Sequence, residues 1–140
     1  MRIMAIDYGD ARTGVAFSDL TGSIVGRTTV IHERNTERLL AALTALIEQE
    51  QPGLLVMGFP RNMDGSEGPR ADLYREFAAL LEELLDQPVV LWDERRTTIE
   101  AHQILSDGGY HGKKRKNTVD AVAASLILEG YLNYLNSHKE

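Results

Sequence analysis

The first nineteen residues, MRIMAIDYGDARTGVAFSD (1–19), place one acid, Asp7, at the end of an apolar run and directly before a glycine turn. Residues 2 to 8 alternate, and RTGVAFS (12–18) and SIVGRTTVIH (23–32) follow, with glycine-containing turns between them. Such runs predict three sequential strands in an antiparallel meander. Asp7 then stands where a strand gives way to a turn, a buried-side position that is costly for a carboxylate unless it is paired or bound to a cation. A turn-capping role, with the carboxylate bonding the backbone near Gly9, answers the same pattern equally well.

Working outward, Asn35 is suited to cap a helix running to about residue 49, with Leu39, Leu43, Leu46 and Ile47 on one face and Pro52-Gly53 ending it. LLVMG (54–58) is apolar without alternation, as expected of a strand covered on both faces in the parallel part of a sheet. After the loop GFPRNMDGSEGPR (58–70), Leu73, Phe77, Leu80, Leu81 and Leu84 mark a second helix, and PVVLWDE (88–94) reads as a fifth strand. Thr97 with Glu100 forms a capping-box pattern that opens a helix stopping at Gly108-Gly109. Beyond a basic loop, Val119, Val122, Ala123, Leu126, Ile127, Gly130 and Tyr131 trace one stripe of a final helix.

This order predicts an α/β fold built on a mixed five-stranded sheet, its first three strands antiparallel and strands four and five parallel to strand one, with helices on both faces. The C-terminal ends of strands one, four and five then share one edge, where open α/β sheets bind ligands. Asp7, the 58–70 loop and Asp93-Glu94 all fall on that edge.

The 140 residues suit one domain spanning 1–140, with an apolar share of 43% and a charged share of 26%. No apolar run approaches the roughly 20 residues that span a bilayer, and Asp7 interrupts the N-terminal run before a secretory core forms. The expected setting is cytoplasmic, without membrane contact. The chain has no cysteine, which removes disulfides, thiolate nucleophiles and Cys-ligated zinc. A formal charge of -6 argues against generic affinity for polyanions. Distribution matters more: Glu48, Glu50, Glu82, Glu83 and Asp86 read as solvated helix faces, while bases concentrate in Arg95-Arg96 and in Lys113, Lys114, Arg115 and Lys116.

Three acids converge in this reading. Asp93 and Glu94 are neighbours on a strand, so they point to opposite faces and only one shares a cleft with Asp7. Asp120 falls in the first turn of the final helix, three residues after a possible Asn117 cap, where any carboxylate is also stabilised by the helix dipole. Three carboxylates from two strand ends and a helix start repel one another unless cations neutralise them. Oxygen-only ligands without His or Cys suit Mg²⁺ or Mn²⁺. Beside Arg and Lys, such a cage is equipment for metal-assisted phosphodiester hydrolysis. No other nucleophile is advertised: no G-x-S-x-G elbow exists, and His32, His102, His111 and His138 lack triad or ligand spacing. GGYHGKK (108–114) lacks the G-x-x-x-x-G-K-[ST] spacing of a phosphate loop and follows a helix.

DYGDARTGVAFSD, GFPRNMDGSEGPRA, WDERRTT and KKRKNTVDAVAASLILEGYL occur in an order that resembles the YqgF-like family of bacterial ribonuclease-H-fold proteins, described as candidate Holliday-junction resolvases and candidate pre-16S rRNA nucleases. The resemblance covers essentially the whole chain. It implies that Asp7, Glu94 and Asp120 are the catalytic, metal-holding acids, and it favours Glu94 over Asp93. It further implies that Arg12, Asn62, Arg95 and Lys116 contact substrate. Thr13 and Arg96 replace apolar residues of forms such as RIG and ERLTT, and neither change touches an implied ligand.

The implied function is a Mg²⁺- or Mn²⁺-dependent nuclease acting on structured nucleic acid, with precursor rRNA, free or in ribosomal particles, as the expected partner. Junction resolution on branched DNA is the alternative and would want a two-fold dimer; the chain is expected to be a monomer or homodimer. A noncatalytic nucleic-acid or ribosome-binding adaptor has no need of three acids. An actin-like ATP-binding protein would need two such domains.

Overall fold

Strand β1 (Ile3–Asp7) carries apolar side chains on both faces, and that decides its place at the centre: Met4 and Ile6 enter one core, Ile3 and Ala5 the other. The computed structural model describes residues 1–60, 68, 70–93 and 112–137, the positions 112–120 and 137 through their backbone alone. On one side β1 pairs antiparallel with β2 (Arg12–Ser18), which pairs antiparallel with β3 (Val25–His32). On the other it pairs parallel with β4 (Leu54–Phe59), which pairs parallel with β5 (Val89–Asp93). The order β3-β2-β1-β4-β5 is the mixed sheet the sequence predicts.

Helix α1 (Thr36–Glu50) begins where expected: the Asn35 side chain accepts a hydrogen bond from the Arg38 N–H at 3.0 Å, satisfying one of the free donors of the first turn. Gln51 takes φ 51° at its end, the left-handed conformation that closes the last turn onto the Ile47 carbonyl at 2.8 Å. Glu50 is not part of a solvated face. It lies under Arg2 and Arg27, at 3.3 and 2.9 Å, because the helix returns its C-terminal end to the sheet.

Helix α2 (Ala71–Leu84) packs on the same face as α1, but rotated from the expected stripe. Ala71, Tyr74, Phe77, Ala78 and Leu81 are buried, whereas Leu73 and Leu84 are 52% and 59% exposed and Leu80 is 39% exposed. Counting leucines misled because the Tyr74 ring buries more apolar area than Leu73 one position before it.

Helix α3 (Gly112–Ser137) covers the opposite face through Ala124, Ile127, Leu128, Tyr131 and Leu132. It corrects two expectations. The basic run 113–116 lies inside the helix, not in a loop before it, and Asn117 is not a cap. Lys and Arg are good helix formers, so nothing in that run stops the helix from extending back to Gly112. The expected helix at 97–108 and most of the 58–70 loop lie outside the described residues. Among the described residues, no helix is long and apolar enough to cross a membrane.

Candidate nuclease site

Alternation along the strands assigns each strand-end residue to a face. On β1 the α3 side takes Ile3 and Ala5, so Asp7, two residues on, belongs to that side as well. Asp7 is half-buried and lies across the ladder from Gly14. On β5, Val90 and Trp92 pack against the α3-side core, so Asp93 points to the other face. Asp93 therefore does not share the face of Asp7. Glu94 itself, with Asn62, Arg95 and Arg96, lies outside the described residues.

Asp120 occupies the backbone of α3 one turn before Ala124, eight residues into the helix rather than in its first turn. The helix dipole acts within the first turn. A cap or dipole role for Asp120 therefore loses its basis, and position 120 lies on the helix that covers the Asp7 face. Lys116 lies one further turn toward the N-terminus of the same helix. Of the three implied metal ligands only the side chain of Asp7 is described, and among the described residues no three His, Cys, Asp or Glu side chains stand close enough to hold a metal.

The turn after Asp7 is tightly built. A Cβ on Gly9 would overlap the carbonyl oxygen of Arg12, so the turn needs glycine for space. The Gly9 N–H reaches Thr13 Oγ1 at 3.5 Å, and Thr13 is fully buried. Tyr8 stacks on Phe77 with centroids 4.2 Å apart and meets Tyr74 edge-on at 5.2 Å. The Tyr74 hydroxyl donates to the Tyr8 carbonyl at 2.7 Å. Burial pushes the Tyr8 hydroxyl up from its ordinary range, the Asp10 carboxylate adds to this, and Arg70 opposes it. Arg70 also pairs with Asp10 at 3.3 Å, tying the turn to the start of α2.

The aromatic clamp on Tyr8 escaped the sequence reading because Phe77 read only as core and Tyr74 lay outside the expected stripe. A second feature escaped it too: Arg12, His32, Glu33, Arg34 and Arg38 surround one cavity, because Arg12 and His32 pair across β2 and β3 and α1 starts at once beyond. The resemblance pointed to Arg12 alone. His32 is exposed.

Comparison with known proteins places this architecture in context. A model of the RuvX family, described as Holliday junction resolvase, matches residues 1–134. A relative from Halothermothrix orenii, named as a candidate pre-16S rRNA nuclease, is 47% identical over 136 residues, 97% of each chain. A Bacillus subtilis relative of the same name is 42% identical over 97% of this chain and 100% of its own. Among solved structures, Thermus thermophilus RuvC superposes with a TM-score of 0.58 at 13% identity, covering 96% of each chain. The fowlpox virus resolvase, solved with Holliday junction DNA, gives 0.61 at 13% identity over 96% of this chain and 99% of its own. At that identity the two structures speak for the fold: the sheet and helices are those of ribonuclease-H-like resolvases.

Proposed function

This chain belongs to the RuvX family, and we propose that it is a metal-dependent nuclease that hydrolyses phosphodiester bonds in structured nucleic acid, trimming the end of precursor 16S rRNA during ribosome maturation in the cytoplasm. The observation that carries the substrate is the match over 97% of both chains, at 47% identity, to a relative named for that activity.

The proposed site holds Asp7 from β1, Glu94 just beyond β5 and Asp120 from α3. A half-buried strand-end carboxylate, facing the helix that carries Asp120, supports the arrangement. A donor set of carboxylates alone fits a hard divalent cation, Mg²⁺ or Mn²⁺, and fits a soft or redox metal poorly. Such an ion supplies an activated water and neutralises charge developing on the phosphate. The chain's own contribution is to hold the three acids in register and to offer Arg12, Arg95 and Lys116 to the phosphates, with Asn62 contacting the strand. Gly9 keeps the turn short enough that Arg12 and Asp7 stay at one end of the sheet.

Junction cleavage is the second reading, favoured by the description of the family itself. One assay separates the two: precursor rRNA in ribosomal particles, naked RNA and four-way DNA are offered in parallel with Mg²⁺ and with chelator. The proposal expects Mg²⁺-dependent cleavage of the rRNA precursor and its loss in Asp7→Asn. Cleavage of the four-way DNA alone supports resolution, and chelator-insensitive cleavage overturns the metal site.

A further inference from the structure

The cavity of about 400 Å³ at the β2–β3 end is lined by Ala11, Arg12, His32, Glu33, Arg34 and Arg38. Three arginines face a single carboxylate there, in a chain whose formal charge is -6. That carboxylate is already committed. Glu33 Oε1 accepts from the Asn35 and Arg34 N–H groups at 3.1 Å each and from Arg38 Nε at 3.2 Å. The Asn35 N–H first, then Arg38, hold its carboxyl below the usual carboxylate range, so it stays ionised and engaged. It neutralises one guanidinium and orients Arg38 along the cavity wall. Arg34 forms no ion pair among the described residues, and its fixed charge remains for a ligand.

Position ties this cavity to the Asp7 edge. Arg12 and His32 are paired residues of neighbouring strands, so their side chains leave the sheet on one face. Arg12 is two residues before Gly14, the partner of Asp7, and therefore shares the face of Asp7 as well. His32 lies two strands from Asp7 and two residues along, about 12 Å at ~4.8 Å per strand and ~3.4 Å per residue.

We propose that Arg12, His32, Arg34 and Arg38 form a phosphate subsite for the nucleic-acid strand, one or two nucleotides away from the bond held at Asp7. Guanidinium groups grip phosphate oxygens with paired donors, and their charge persists at any working pH. An extended strand leaving the Asp7 edge over β2 meets this cavity next. The subsite reads backbone and not sequence, so it serves RNA and DNA alike. The assignment rests on the nuclease reading for its substrate.

Fluorescence anisotropy with a labelled single-stranded RNA, measured on the Asp7→Asn background so that the strand stays intact, tests it directly. Arg34→Ala is expected to weaken binding several-fold at low salt and to make the salt slope shallower by about 0.7, the loss of one phosphate contact on a single strand. Arg34→Glu should weaken it further. Arg27→Ala, which removes one charge at the other end of β3, is the control and should leave the slope unchanged. Binding by Arg34→Glu as tight as the parent, or an equal loss from Arg27→Ala, overturns the subsite. The failure of the function itself looks different: a chain with active-site acids intact that binds RNA with the Arg34 signature but cleaves no substrate refutes the nuclease and leaves the subsite standing.

Discussion

Gly9 and Arg12 are in backbone contact: the α-carbon of Gly9 lies against the Arg12 carbonyl so closely that no side chain fits between them. The two residues close the turn that joins the proposed metal ligand Asp7 to the proposed phosphate ligand Arg12. Adding a methyl group at Gly9 must therefore push one strand end away from the other. Gly9→Ala is expected to cost about 1–3 kcal/mol in denaturant unfolding, the usual cost of overpacking. Cleavage should fall further than stability explains, since displacements near 1 Å cost roughly 100-fold in rate. A variant with wild-type cleavage would show that the turn does not set the site.

Asp120 supports a prediction of sign. With α3 beginning at Gly112, a charge at position 120 is beyond the reach of the helix dipole, so its removal costs no capping energy. If Asp120 stands with Asp7 and Glu94, Asp120→Asn relieves repulsion among acids in the metal-free protein. Thermal melts without Mg²⁺ should show equal or higher stability in the variant, while the stabilisation on adding Mg²⁺ and the cleavage rate both fall. A less stable variant that still cleaves would return Asp120 to a structural role.

The sheet was legible because β1, β4 and β5 carry their burial pattern in their own residues: LLVMG is apolar throughout, and the two faces of β1 are filled by alternate side chains. Asn35 was legible for the same local reason, a cap needing only its own helix. The rotation of α2 was not, because the neighbours Leu73 and Tyr74 compete to face the sheet and only the sheet beneath decides between them. The start of α3 was not, because the basic run is compatible with helix and loop alike. Least legible was the arginine cavity, whose members belong to two strands and a helix start and meet through the Arg12 to His32 pairing.

The turn between β2 and β3 should register acid. Asp19 accepts from Thr21 Oγ1 at 2.6 Å and from the Ser23 N–H at 2.8 Å. These bonds, Thr21 first, lower its carboxyl from an ordinary 3.8 to about 2. A folded value below the unfolded one means that the ionised group stabilises the turn above about pH 4, and that this support fades as pH falls through 2. NMR titration of the Asp19 carboxyl should give a midpoint near 2. The stability difference between wild type and Asp19→Ala should narrow over the same acid interval. A midpoint at 3.8 would mean that the bonds do not hold in solution.

Tyr74 gives the sharpest test of how α2 serves the edge it does not itself contribute to. Its hydroxyl holds the Tyr8 carbonyl at 2.7 Å, while the Tyr8 ring is stacked on Phe77 at an interplanar angle of 7°. The Tyr8–Gly9 peptide, one residue beyond Asp7, is thus held by a hydrogen bond and by ring packing, both from α2. Tyr74→Phe removes the hydrogen bond and keeps the ring, which isolates one of the two. The expected loss of stability is about 0.5–1.5 kcal/mol, the net contribution of one such bond. Tyr74 lies on the face of the sheet opposite Asp7, so any effect on chemistry must pass through Tyr8. A lower single-turnover rate with unchanged RNA affinity marks it as a positioning residue. Leu80→Ala, on the exposed side of the same helix, supplies the comparison, because it perturbs α2 without touching Tyr8. If both variants cleave at the wild-type rate, the clamp on Tyr8 is structural only; if both slow equally, α2 acts through its general packing and not through the Tyr74 hydroxyl.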